Sequence, residues 1–159
     1  IGQDLAARLI PFKVKIAYHG PRDKELPFAF VPSLIDLAKQ SDVLILCCPG
    51  GKETEKIVNS EVLNALGPSS YLINVARGSV VNEADLIQAL QSHQIAGAAL
   101  DVFENEPNPN PLFLEFSNVL LTPHIGSATQ ETRQAMTNLA IDNLDAFFNH
   151  KPLLTPISL

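Results

Sequence analysis

Apolar residues along this chain fall into two kinds of pattern, and the two alternate. Near-continuous apolar runs occupy 42–48, 71–75, 95–102 and 119–121. Runs of this length read as strands of a parallel sheet buried on both faces. Between them the spacing turns helical. Residues 1–10 put Leu5, Ala6, Leu9 and Ile10 on one face, and Ser33 caps a helix holding Leu34, Ile35, Leu37 and Ala38. Residues 53–66 carry two short helical patterns with Ile57, Val58, Val62, Leu63 and Leu66 as core positions, stopped by Gly67 and Pro68. Asn82 caps a helix over 82–92, with Glu83 and Asp85 in its first turn. Ser127 and Gln130 have capping-box spacing and open a long helix over 128–149, with Met136, Leu139, Ala140, Leu144, Phe147 and Phe148 at helical spacing.

Two weaker extended pieces complete the pattern. Residues 13–18 alternate charge with Val14, Ile16 and Tyr18, and Phe28, Phe30 and Val31 form a short stretch before Pro32. Residues 19–24 read as a polar turn, 105–111 as a proline-rich loop and 151–159 as a tail. Strand and helix alternate at least four times, which predicts an α/β fold with a doubly wound parallel sheet of Rossmann type. A helix that opens with glycine and follows no strand suggests a βαβ unit whose first strand is missing, so the chain is expected to be a fragment. The expected division is a dinucleotide-binding domain over 1–126, then a C-terminal helix and tail over 127–159.

Polar residues of chemical interest sit just after the strands. Arg77 follows the run at 71–75, Asp101 and Glu106 follow that at 95–102, and His124 follows that at 119–121. In a parallel sheet those ends share one edge, where open α/β sheets bind ligands. The competing reading of Arg77 is a surface arginine on a turn, and that of His124 a structural histidine after a proline. His93 and His150 lie at helix ends and read as surface cations near negative dipole ends.

Three segments carry a resemblance. Asn74 to Gly78 (Asn-Val-Ala-Arg-Gly), Gly97 to Pro107 (Gly-Ala-Ala-Leu-Asp-Val-Phe-Glu-Asn-Glu-Pro) and Leu121 to Ser127 (Leu-Thr-Pro-His-Ile-Gly-Ser) resemble, in order and spacing, the signatures of the D-isomer-specific 2-hydroxyacid dehydrogenases. Within that family the chain is similar to glyoxylate/hydroxypyruvate and hydroxyphenylpyruvate reductases. The stretch Asn-Leu-x-x-Phe-Phe at 143–148 and Lys-Pro-Leu-Leu-Thr-Pro at 151–156 contribute to this. The resemblance implies reduction of a small 2-oxo acid to the D-2-hydroxy acid by hydride transfer from a nicotinamide dinucleotide.

The resemblance also implies the roles. Arg77 is the substrate arginine, His124 the proton donor and Glu106 the carboxylate that holds the imidazole protonated. Asp101 would touch the nicotinamide end of the cofactor. Ile1 and Gly2 match the end of a glycine-rich turn, and Cys48 and Pro49 border the adenosine side. Val75 and Ala76 flank the nicotinamide, while Gly126 and Ser127 close the site. Where NAD-preferring enzymes carry an acidic residue, His19 and Gly20 follow Tyr18 with Arg22 close behind, so NADP(H) is expected over NAD(H), with NAD(H) possible. Asp23 complicates this, since a loop shift could make it the missing acid. Relatives also possess a second domain that contacts substrate, so the face of the last helix is expected to lie exposed or in a second copy of the chain.

Composition narrows the alternatives. At 159 residues and 46% hydrophobic content the chain can bury one sizeable core. A net charge of −6 and pI near 5.1 argue against nucleic acid or an anionic membrane as partner. No run is long enough for a membrane span, and the two cysteines, Cys47 and Cys48, are adjacent, with no metal-ligand spacing anywhere. Placed in a strand, they would point to opposite faces. A homodimer in the cytoplasm is expected. Two rivals remain: a dinucleotide-sensing scaffold of the corepressor type, and a relative acting on phosphoglycerate with NAD, or on formate. A formate enzyme is expected to carry glutamine at position 106, where this chain has Glu106.

Overall fold

The computed structural model describes residues 1–157, and the last two positions of the expected tail lie outside them. Helix α1 (Gly2–Leu9) leads through a 3-10 turn into β1 (Ala17–Tyr18), which pairs in parallel with β2 (Ala29–Phe30). Helix α2 (Leu34–Lys39) follows, then β3 (Val43–Leu46), α3 (Ser60–Leu66), β4 (Tyr71–Asn74), α4 (Glu83–Gln91), β5 (Gly97–Leu100), β6 (Val119–Leu121) and α5 (Gln130–Phe148). Strands β3, β4, β5 and β6 form one parallel sheet in that order. This is the doubly wound α/β architecture the alternating pattern predicts. The chain divides into a unit of Ile1–Pro123 and a second unit from His124 onward.

The helices begin where the sequence places caps. Ser33 Oγ accepts from the Asp36 amide, and Asn82 Oδ1 from the Asp85 amide. Two expectations need correction. The helix α5 is capped by Thr129, whose Oγ1 accepts from the Thr132 amide at 3.2 Å, and not by Ser127. A turn intervenes, in which the Ala128 amide donates to the Ile125 carbonyl and the Thr129 amide to that of Ser127. The extended stretch at 13–18 shrinks to Ala17 and Tyr18, because Lys13 takes a left-handed conformation (φ 58°) closing the preceding turn.

The core of the first unit lies between the four-stranded sheet and its helices. Leu44, Leu46, Leu72, Ala98 and Leu100 from the strands meet Leu37, Leu63, Leu66, Leu86 and Leu90 from the helices, with Phe113 closing one end. Of the two helical patterns at 53–66, the first is a single 3-10 turn over Lys52–Thr54. Val58 then runs extended and bridges in parallel to Val81, tying this loop to the one before α4. In the second unit, α5 carries Met136, Leu139, Leu144, Phe147 and Phe148 exposed, as the sequence suggests for that face. No helix among the described residues is long and apolar enough to cross a membrane.

Strand register fixes where the carboxyl ends fall. Leu46, Asn74, Leu100 and Leu121 are successive partners across β3 to β6, so one row marks the edge of the sheet. Burial along the sheet is uneven, and it sets the cost of truncation. Leu72 in β4 is fully buried, so Leu72→Ala is expected to lower unfolding free energy by about 2–5 kcal/mol in urea titration. Leu120, on the last strand, is 63% exposed, and Leu120→Ala is expected to cost under about 0.5 kcal/mol in the same titration.

Candidate functional site

Asn74, the last residue of β4, is buried and shapes the turn beyond it. Its Oδ1 accepts from the Ala76 amide at 3.0 Å and its Nδ2 donates to the Arg77 carbonyl at 3.1 Å. A side chain that satisfies both ends of a three-residue turn leaves that backbone few alternatives. Arg77 therefore leaves the sheet edge in a set direction, its side chain exposed and its Nη1 donating to the Ala76 carbonyl at 2.6 Å. Gly50 makes room for the arginine stem, since a Cβ there would stand 2.8 Å from Arg77 Cγ.

Gly78 brings a second loop to this turn. A Cβ at Gly78 would lie 1.9 Å from the Phe103 carbonyl oxygen and 2.5 Å from the Glu104 nitrogen. Only glycine allows the two backbones to approach so closely. The loop that docks here carries Glu106, whose Oε1 accepts from the Phe103 amide at 3.3 Å. Two further ties hold it: Glu83 Oε1 accepts from the Glu104 amide at 2.7 Å, and Lys56 Nζ lies 3.6 Å from Glu104 Oε1.

The result is a cleft of about 910 Å³ bordered by Ile1, by residues 47–51, by residues 75–79, and by Phe103, Glu104 and Glu106. Seven expected site residues meet here, namely Ile1, Cys48, Pro49, Val75, Ala76, Arg77 and Glu106. Gly2 stands just inside, a Cβ on it being 3.5 Å from Cys47 Cβ. The volume falls within the range of small-molecule sites. Ile1 provides no side-chain cap for α1, which leaves first-turn amide donors for an anionic group at that end of the cleft. These features fit a bound dinucleotide: amide donors for phosphate, with an arginine and a carboxylate on the same cleft.

The remaining expected residues lie elsewhere. Gly20 and Arg22 occupy the turn after β1 and are not among the residues that border the cleft. Asp101 is buried beyond β5 and accepts from Thr122 Oγ1 at 2.5 Å, so it braces the β5 and β6 ends and does not border the cleft. His124, with a left-handed backbone (φ 54°), begins the second unit, together with Gly126 and Ser127. The cysteines also differ from expectation. Strand β3 ends at Leu46, so Cys47 and Cys48 lie past it and both border the cleft. Burial pushes both thiols up from their ordinary range, which keeps them protonated and poorly nucleophilic. Among the described residues no group of His, Cys, Asp or Glu could hold a metal ion.

Sequence reasoning reached Arg77 and Glu106 and missed what holds them together. Glu83 reads as an ordinary first-turn acid, yet it is only 7% exposed and serves the Glu104 amide. Nothing local marks it, because its partner lies 21 positions away.

Comparison with known proteins places this geometry. Residues 1–126 match the model of the D-isomer specific 2-hydroxyacid dehydrogenase NAD binding domain. A 2-ketogluconate reductase of Gluconobacter oxydans (strain 621H) is 48% identical over 99% of this chain and 51% of its own length. The glyoxylate/hydroxypyruvate reductase A HPR2 of Arabidopsis thaliana is 45% identical over 99% of the chain and 50% of its length. Among solved structures, the NADPH-dependent glyoxylate/hydroxypyruvate reductase of Sinorhizobium meliloti, in complex with NADP and malonate, is similar at a TM-score of 0.95 and 50% identity. That likeness covers 99% of this chain and 50% of the other. The chain thus spans about half the length of the relatives it matches.

Glu83 gives a test of the docking geometry. Burial raises its carboxyl above the ordinary 4.5, the Glu104 amide opposing and the Glu104 charge adding to the rise. A folded-state pKa above the unfolded one means that the charged carboxyl costs stability at pH above the raised value. That cost fades as pH falls through it. Glu83→Gln retains an acceptor for the Glu104 amide and is expected to be more stable than the parent at neutral pH. The advantage should shrink on acidification through the carboxylate range, read by denaturant midpoints at several pH values. Glu83→Leu leaves the amide without its partner and is expected to cost about 1–3 kcal/mol at neutral pH.

Proposed function

The chain belongs to the D-isomer specific 2-hydroxyacid dehydrogenase family, and we propose that it is the dinucleotide-binding half of an NADPH-preferring reductase of small 2-oxo acids. The observation that carries this reading is the joint placement of Arg77 and Glu106 on the cleft that the start of α1 also borders. Reduction of a 2-oxo acid builds negative charge on the carbonyl oxygen, which calls for a fixed cation and a proton donor. Arg77 meets the first need, since its planar fork can grip carboxylate and carbonyl oxygen together. His124 is assigned as proton donor, and Glu106 as the carboxylate that favours its protonated form. When bound, the reduced dinucleotide supplies the hydride.

The chain's own residues account for the rest of the binding. The backbone of Val75 and Ala76 borders the nicotinamide, Cys48 and Pro49 the adenosine side, and the first turn of α1 the phosphates. Asp101 acts by bracing the strand ends, and Gly126 and Ser127 close the site in this reading. Arg22, exposed in the turn after β1, supports NADPH over NADH. The NADP complex of the similar S. meliloti structure supports the same preference. A homodimer in the cytoplasm belongs to the proposal as well. It is supported by the exposed apolar side chains of α5, which suit burial against a second surface.

The test is a panel of glyoxylate, hydroxypyruvate, 2-ketogluconate and aryl-pyruvates with NADPH and NADH, on the complete protein that carries this chain. Turnover of at least one 2-oxo acid is expected, with better efficiency on NADPH. Arg77→Ala and His124→Ala should each lower kcat/KM by about 10²-fold or more while dinucleotide affinity stays within a few fold. Dinucleotide binding without turnover of any 2-oxo acid would favour the sensing scaffold, and unchanged rates in either variant would remove that residue from the mechanism.

A further inference from the structure

The turn after β1 holds two candidates for the adenosine ribose, Arg22 and Asp23, about 20 residues past the start of α1, where dinucleotide folds read the 2′ position. An acid there bonds the 2′-hydroxyl of NADH, and an arginine accommodates the 2′-phosphate of NADPH. Both residue types stand side by side, so composition alone does not decide between them.

The structure shows what happens to the acid. Asp23 Oδ1 accepts a hydrogen bond from the Tyr18 hydroxyl and a second from the Glu25 amide at 2.9 Å. The Tyr18 oxygen in turn accepts from the Lys24 amide at 2.9 Å, which closes the loop on itself. The Tyr18 ring is placed by Phe30 on the adjacent strand, their centroids 5.3 Å apart. The base of the turn is fixed by a hydrogen bond between His19 Nδ1 and the Val31 carbonyl at 3.0 Å. Asp23 and Arg22 are both exposed, but Asp23 Oδ1 is tied back into its own turn.

We propose that Tyr18 is a specificity-determining residue: its hydroxyl withholds the Asp23 carboxylate from the ribose, so that Arg22 alone reads the 2′ position. The inference rests on the NADPH-preferring reading above and adds the device that enforces it. The donors on Asp23 also lower its pKa, Tyr18 contributing most, so the carboxylate stays charged and held across the working range. Removing only the Tyr18 oxygen should leave the ring on Phe30 and free one of the bonds on Asp23. The carboxylate could then turn outward, towards a 2′-hydroxyl and against a 2′-phosphate.

The experiment titrates NADPH and NADH into the complete protein and into Tyr18→Phe, Asp23→Asn and the double variant. Tyr18→Phe is expected to tighten NADH by about fivefold or more and to weaken NADPH, shrinking discrimination by about tenfold. The double variant should bind NADH no better than the parent, because no carboxylate remains to be released. Asp23→Asn alone should leave NADH affinity within about twofold, since the carboxylate is already withheld. The assignment is overturned if Tyr18→Phe leaves discrimination unchanged, if the double variant keeps the tighter NADH binding, or if Asp23→Asn alone loses NADH affinity. A loss of NADH affinity in Asp23→Asn overturns the assignment even where Tyr18→Phe does not fold. Equal affinities in the parent would overturn the NADPH preference itself, while tighter NADH binding by Tyr18→Phe would still support the role of Tyr18.

Discussion

The close approach of Gly78 to the backbone at Phe103 and Glu104 is the constraint on which the cleft depends. Arg77 is aimed by Asn74 and Glu106 rides on a loop, and neither fact by itself puts them in one place. The contact at Gly78 does, because it leaves no space for a side chain between the two backbones. Glu83 and Lys56 then hold the loop from the other side, through the Glu104 amide and carboxylate. The parallel bridge of Val58 to Val81 carries Lys56 to that position. A chain of backbone contacts therefore leads from the loop before α3 to the cleft wall.

This arrangement explains how a few polar groups at the sheet edge are buried with their hydrogen bonds made. Asn74, Glu83 and Asp101 each serve a backbone amide or hydroxyl across an element boundary, and among the described residues no buried side-chain polar atom lacks a partner. Buried polar groups of this kind cost stability when one partner is removed. They also specify one arrangement of loops at the sheet edge, which a purely apolar packing would leave less defined.

Much of this was legible in the chain itself. The apolar runs marked β3 to β6, and Asn82 and Ser33 marked helix starts, because strand burial and capping are local chemistry. Arg77 and Glu106 were legible as residues past buried strands. The devices that bring them together were not, since Gly78, Glu83 and Lys56 act on partners distant in sequence. The same holds for Tyr18 and Asp23, where an acid in a polar turn gave no hint that a tyrosine had claimed it. Local signals also misled where two competed: Ser127 and Thr129 both offer a cap, and the intervening turn selects Thr129. Cys47 and Cys48 were placed in a strand because their apolar run continues past Leu46, where the ladder stops.

The central claim is that the Gly78 contact assembles the reacting side of the cleft in the proposed 2-oxo acid reductase. The most direct measurement is steady-state turnover of Gly78→Ala in the complete protein, with dinucleotide binding followed on the same sample. The added methyl group must push the Phe103 and Glu104 backbone away, and a displacement of about 1 Å at a catalytic group can cost about 10² in rate. The account predicts turnover reduced by about 10²-fold or more, with dinucleotide affinity within a few fold of the parent. Turnover close to that of the parent would contradict it.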